Sequence, residues 1–309
     1  MHAAVVTAFD TPPQYRDHPD PVARDADEVV VEVLAAGLHP RVRSQASGSH
    51  YTSTDELPLV PGIDGVVRDP KGRIRYTVLD DTVLGTMAER TVIDNGRSVV
   101  LPEGIGPVQI AAAMNPVMSS WVALRRRIDF GRRQRVLVLG ATGNAGRMAI
   151  QVAKRFGAAQ VIAAGRDTAR LAELRTLGAD ETCTFDELVL AADVDVVIDY
   201  VWGEPTARAM VDMLTARADR SAPLTWIEIG SVAGPTAPIP SRRCARRDCR
   251  SSVPASAQSP VATSSRNSPS WYPPSPRAIL TSRPAVPLAE VEHVWTATVG
   301  MSDRIVLVP

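Results

Sequence analysis

Three glycines, Gly140, Gly143 and Gly146, recur at three-residue spacing within RVLVLGATGNAGRMAIQVAKRFG (Arg135–Gly157). Glycines so spaced can grip a phosphate. An apolar run, Val136 to Leu139, comes first and reads as a buried parallel strand. Ala149, Val152, Ala153 and Phe156 then mark one face of a helix, with Gly157 placed to end it. The N-terminus of such a helix carries unpaired N–H groups and partial positive charge. Glycine lets the backbone approach a pyrophosphate and lets helix and strand pack closely. A glycine triplet alone is common in α/β folds; the flanking strand and helix turn it toward a nucleotide site. No Gly-Lys-Ser/Thr follows, so this is not a Walker loop.

The elements that would hold this turn alternate. Gln160 to Ala164 reads as a strand, and Asp167 or Thr168 can cap a helix carrying Leu171, Leu174 and Leu177, closed by Gly178. A strand over Asp193–Asp199, a helix over Pro205–Leu214 and a strand over Leu224–Ile229 follow. Alternating β and α elements imply a parallel sheet with right-handed crossovers. Residues 1 to about 117 instead show short β signals at Ala3–Ala8, Val29–Leu34, Ile74–Leu79 and Arg90–Ile93, punctuated by Pro12, Pro13, Pro19 and Pro21. Ala111 to Arg127 reads as two helical pieces, the first interrupted by Pro116, with Arg125, Arg126 and Arg127 on a solvated face.

GATGNAG resembles the AxGxxG variant of the dinucleotide motif in zinc-free medium-chain dehydrogenase/reductases, which include quinone oxidoreductases and enoyl reductases. Ala141 takes the place of the first glycine of GxGxxG, followed by Gly143 and Gly146. Further stretches fit in the family's order: AAGLHP (Ala35–Pro40) resembles AAGVNP, PLVPGIDGVV (Pro58–Val67) resembles PxxPGxExxGxV, and GTMAERTVI (Gly85–Ile93) resembles GxxAEYxxV. DVVIDYVWG resembles DVVxDxVGG, IEIGSVAG resembles VxxGxxSG, PLAEVEHVW resembles a closing helix, and Arg304–Pro309 resembles the final GKIVL strand. The resemblance implies an α/β protein with an N-terminal GroES-like β-barrel domain over 1–117, completed by 283–309. A Rossmann doubly wound parallel-sheet domain over 118–282 follows. It also implies a homodimer.

Zinc-dependent relatives carry a cysteine near the place of His39 and a histidine at the place of Ile63; this chain has His39, Ile63 and Asp64, and lacks their cysteine-rich lobe. Catalytic zinc needs three protein ligands, so no metal is expected. Cys183, Cys244 and Cys249 form no disulfide framework.

The expected cofactor is NADP, cradled by Gly140, Ala141, Thr142, Gly143, Asn144, Ala145 and Gly146. An NAD enzyme places Asp or Glu at the tip of the second strand; this chain has Ala164-Gly165-Arg166. Arg166 could pair bidentately with a 2′-phosphate, with Arg170 one helical turn on. Ser119 matches a family hydroxyl that approaches the nicotinamide, though a helix serine can equally bond its own backbone. Gly230 and Ser231 lie at the carboxyl edge of the sheet, where ligands bind. Asp199 either joins them or fixes the strand end. His39 and Tyr51, near family positions on the acceptor side, could donate a hydrogen bond or proton, or be structural.

The implied function is hydride transfer from NADP to a quinone, enone or related carbonyl, without zinc. The alternatives are a non-catalytic nucleotide-binding regulator or lens-crystallin-like structural relative, and a zinc-dependent alcohol dehydrogenase. Hydrophobic residues make up 45% and Lys+Arg equals Asp+Glu at 34 each, so no global field argues for nucleic acid or membrane. No apolar run reaches spanning length and no signal-peptide core opens the chain. A cytoplasmic protein acting on a small molecule is expected.

Ser241 to Arg277 does not fit: Arg, Ser and Pro make 23 of its 37 residues, without Leu, Ile, Phe or Met. Such a segment is expected to build no strand or helix core. Read one base earlier, Asp248-Cys249 must encode Leu and Trp271-Tyr272 must encode Val, as expected of a segment translated out of frame; the alternative is an intrinsic linker. A long apolar open frame beneath these codons is what the coding DNA should contain.

Overall fold

β-branched residues crowd the first hundred positions, and strands follow from them. The computed structural model describes residues 1–50, 52–239, 249–252 (backbone only), 285–298 and 304–309. The chain divides into two compact units, Met1–Asn115 with Ser259–Pro309, and Pro116–Gln258.

In the first unit β1 (His2–Val5) pairs antiparallel with β2 (Gln14–Asp17). The eleven-residue β3 (Glu28–Leu38) organises the rest. Val31 and Val33 point inward and Glu32 outward, the alternation of a half-buried strand. A register shift between Val33 and Ala35 bends β3 where it pairs with β4 (Asp64–Arg68). β5 (Ile74–Val78) lies beyond β4, β6 (Arg90–Asp94) pairs with the first half of β3, and β7 (Ser98–Val100) pairs with β5. Helix α1 (Pro40–Ala46) begins right after β3, with His39 at its N-cap.

Helix α2 (Pro107–Val122) runs unbroken through Pro116 and continues as a π-helical turn, Ala123–Arg127. The expected interruption at the proline is therefore wrong. Pro116 costs the helix one backbone donor, but buried Ala112, Ala113, Met114 and Val117 around it hold the helical course. Arg125 and Arg126 are exposed.

The second unit is a parallel sheet. Its strands are β8 (Arg135–Leu139), β9 (Gln160–Gly165), β10 (Glu181–Thr184), β11 (Val196–Asp199), β12 (Leu224–Glu228) and β13 (Cys249–Ser252). They lie in the order β10-β9-β8-β11-β12-β13, the doubly wound arrangement whose direction of travel reverses between β8 and β11. The connecting helices are α3 (Asn144–Arg155), α4 (Thr168–Glu173) and α5 (Gly203–Ala216). Leu137, Ile162, Val197, Met210, Met213 and Trp226 build the core.

In the second unit, β10 and the 3-10 segment Phe185–Ala191, which opens with a Thr184/Glu187 capping box, are absent from the sequence reading, as are β2, α1, β4 and β7 in the first. β10 reads ETCT and buries only Cys183, so no apolar alternation announces it. β13 corrects the expectation for the Arg/Ser/Pro-rich segment, which does supply a strand. Backbone pairing to Leu224–Ile227 requires no particular side chain. The remainder of 241–277 lies outside the described residues.

The chain then returns to the first unit. β14 (Val286–Pro287) and β15 (Ile305–Val308) complete a sheet ordered β14-β15-β3-β4-β5-β7. Leu288, with Val291 and Trp295 of helix α6 (Val291–Ala297), joins the core of Val31, Val33, Leu59, Met87 and Ile93. No helix among the described residues is long and apolar enough to cross a membrane.

Candidate functional site

The glycine turn joins β8 to α3, and each glycine is there for a different reason. Gly140 has φ +77°, which disfavours any side chain. The N–H groups of Gly140 and Ala141 both donate to the Ala164 carbonyl, at 3.1 and 2.9 Å, tying the turn to β9. A Cβ on Gly146 would overlap the Gly140 carbonyl oxygen and lie 2.6 Å from Ala141 Cα, so this glycine permits helix and strand to touch. Gly143 differs. A Cβ there would meet only the Gly140 oxygen, at 3.5 Å. It is also the N-cap of α3 and brings no capping side chain to the first-turn amides. Open space beside the positive end of a twelve-residue helix suits an anion. The Ala141 methyl is buried, while Thr142, Asn144 and Ala145 are half-buried along the rim.

At the end of β9, Arg166 is exposed and makes no ion pair among the described residues. Asp167 follows it directly, yet its carboxylate is committed to α4. One oxygen accepts from the Arg170 N–H at 3.1 Å, and the other lies 3.5 Å from Arg170 Nε. Arg170 is thus engaged with its own cap, and Arg166 is the cation placed at the strand tip.

The ends of β11 and β12 settle what Asp199 does. One carboxylate oxygen accepts from the N–H groups of Val201 and Trp202, at 2.8 and 3.1 Å. The other accepts from Thr206 Oγ1 at 2.7 Å and Trp226 Nε1 at 3.0 Å. Four neutral donors saturate the group, and it fixes the strand end. The Gly230 N–H is spent on the Asp199 carbonyl at 3.2 Å, leaving its carbonyl and the exposed Ser231 hydroxyl to a ligand. Glu228 lies opposite Asp199 across the strand pair. Burial, then Asp199, raises its pKa against the pull of Arg127.

Ser119 does bond its own backbone, donating to the Pro116 carbonyl at 2.7 Å, and also lies 2.9 Å from the Tyr200 hydroxyl. Sequence puts Tyr200 at the carboxyl edge of the sheet, directly after a predicted strand, but gives it no role of its own.

In the first unit His39 leaves the α1 cap unmade and turns to Asp64 instead: its Nε2 lies 2.8 Å from one Asp64 oxygen. Tyr76 donates to the other at 2.9 Å. All three side chains are buried, as is Arg304, whose Nε and Nη2 have no hydrogen-bond partner among the described residues. Burial pushes the Asp64 carboxyl up, but His39, Arg304 and Tyr76 outweigh it and hold the group ionised. Burial and Arg304 push the His39 pKa down, against Asp64. A neutral His39 donating Nε2–H to an ionised Asp64 keeps its lone pair on Nδ1. Its free nitrogen is then an acceptor, not the donor expected. Tyr51 lies outside the described residues. Among the described residues, no group of three or more His, Cys, Asp or Glu side chains could hold a metal ion.

Comparison with known proteins agrees in kind. A family model described as zinc-binding dehydrogenase matches residues 145–221. A probable NADPH-dependent quinone reductase of Emericella nidulans, tdiC, is 31% identical over 276 residues, covering 75% of this chain and 76% of that protein. The 2-methylene-furan-3-one reductase of Solanum lycopersicum is 28% identical over 170 residues, 50% of this chain and 44% of the relative. Among solved structures, the quinone oxidoreductase of Thermus thermophilus, described with its NADPH complex, has a TM-score of 0.79 and 26% identity, with 100% of both chains covered.

Proposed function

This chain belongs to the medium-chain dehydrogenase/reductase family, among its quinone-oxidoreductase-like members, and on that premise we propose that it is an NADPH-dependent reductase of a quinone, enone or related carbonyl, working without zinc. The observation that carries the proposal is the open space at Gly143. It lies at the N-terminus of α3, where the strand order reverses, with Arg166 at the tip of the neighbouring strand. NADPH, when bound, supplies the hydride. The chain's own residues do the rest. The Gly140–Gly146 turn and the first-turn amides of α3 hold the diphosphate, and Arg166 pairs with the 2′-phosphate. Gly230 and Ser231 supply a carbonyl and a hydroxyl at the edge of the sheet.

His39, with Asp64 and Tyr76 behind it, is the candidate polar group on the acceptor side, where its Nδ1 would take a hydrogen bond rather than give one. The zinc-free reading is supported by Ile63, an apolar residue where zinc-dependent relatives place a histidine, and by His39 and Asp64 being bonded to each other. In this reading residues 1–117 with 283–309 form the catalytic domain and 118–282 the NADP-binding domain, in a cytoplasmic homodimer. Quinones and enones offered with NADPH or NADH test the function. Oxidation of NADPH in strong preference to NADH is expected. Arg166→Ala should lose about tenfold or more in NADPH affinity, with little change for NADH. No reduction of any acceptor, or an Arg166→Ala variant as selective as the parent, would defeat the reading.

A further inference from the structure

Away from the nucleotide turn, three parts of the first unit meet around a cavity of about 170 Å³: the loop between β1 and β2, α1 and α6. A cavity of about 150 Å³ takes a molecule the size of benzene, so this one admits a single small organic group. Phe9, Pro12, Ala46 and Trp295 give it apolar walls.

Two opposite charges line the same cavity without meeting. Arg43 of α1 donates to the Trp295 carbonyl at 2.6 Å and to Thr298 Oγ1 at 2.8 Å. Its guanidinium lies over the Trp295 ring, 4.9 Å from the centroid. Both acceptors are neutral, and no carboxylate pairs with Arg43 among the described residues. Burial lowers its pKa with no opposing charge to raise it. Two of the five guanidinium N–H groups are spent, and the others can still donate. Asp10 is exposed and has neither an ion pair nor a hydrogen bond to its side chain among the described residues.

Each simpler occupant fails on one wall. A cation would find the Trp295 face taken by Arg43 and would meet a like charge. A plain anion would suit Arg43 but meet Asp10. An uncharged apolar molecule would bury Arg43 further with nothing to compensate it. A molecule carrying both charges side by side, with an apolar branch, meets all of these demands.

We propose that this cavity binds a free α-amino acid with an aliphatic side chain, its carboxylate on Arg43, its ammonium on Asp10 and its side chain against Phe9, Pro12 and Trp295. The site lies wholly within the first unit and does not depend on the NADPH reading.

L-leucine is the probe, and its affinity is measured by titration calorimetry. Leucinamide lacks the carboxylate, N-acetyl-leucine lacks the ammonium and glycine lacks the branch. Each should bind about tenfold or more weaker than leucine, the effect of losing one charged hydrogen bond or the apolar contact. Asp10→Asn should weaken leucine by a similar factor and erase its advantage over N-acetyl-leucine. Arg43→Gln should erase the advantage over leucinamide. Saturating NADP⁺ should leave the leucine affinity unchanged. No saturable binding at millimolar leucine overturns the proposal, as do analogues that bind as tightly as leucine, or an Asp10→Asn variant as tight as the parent. Mutual exclusion of leucine and NADP⁺ would place the amino acid elsewhere and also overturn it. Should Arg43→Gln lose its cooperative melt, the analogues and Asp10→Asn decide.

Discussion

Asp199 and Asp64 are both fully buried carboxylates, and the two units use them in opposite ways. Asp199 is surrounded by two backbone amides, a threonine hydroxyl and an indole N–H. None of these gains or loses a proton at ordinary pH, so the group is a pin holding β11, α5 and β12 together. Asp64 is surrounded by an imidazole and a phenol, with a buried guanidinium nearby. The same side chain, equally buried, there sits in an environment that can change charge. Burial alone does not mark a functional carboxylate; the titratability of its partners does.

The largest effect that tests this contrast is Asp199→Ala. It leaves three buried donors and one half-buried one without an acceptor and should cost upwards of about 3 kcal/mol, read from urea unfolding. A loss under about 1 kcal/mol would mean the pin is not structural. Asp64→Asn should cost less at neutral pH, about 1 to 3 kcal/mol, because one hydrogen bond can be kept. Its second effect is diagnostic. The native pKa of Asp64 is depressed, so its stabilisation is present above the unfolded carboxylate value near 3.8 and is lost as pH falls through the native one. The amide variant should show a shallower acid limb than the parent. Smallest is His39→Gln. The native His39 pKa lies below 6.5, so between the two values the unfolded chain binds more protons and stability falls as pH drops. Replacing the ring should remove that decline just below pH 6.5. A parent curve flat across this window would show that the neutral, acceptor-bearing imidazole is misassigned.

Much of the second unit was legible because its signals are local. The turn Gly140–Gly146, the cap at Asp167 and the left-handed Gly178 each lie within a few residues of what they control. Sequence could not separate the reasons for the three glycines, since one serves φ, one packing and one open space. The first unit was legible as strands but not as a site. Asp64 was weighed only as a metal ligand, while Tyr76 and Arg304 attracted no functional reading. They join His39 only because β4, β5 and β15 lie in the sheet around β3.

Residue order by itself determined the alternation that makes a parallel sheet, the glycine turn between β8 and α3 and the arginine at the next strand tip, since period, spacing and caps act over one or two turns of chain. Tertiary structure decided that α2 passes through Pro116, that Asp199 is saturated, that Tyr200 meets Ser119 and that His39 faces Asp64. Each of these is a matter of which donor meets which acceptor across elements far apart in the chain, and a buried hydrogen bond is settled only when both partners are in place.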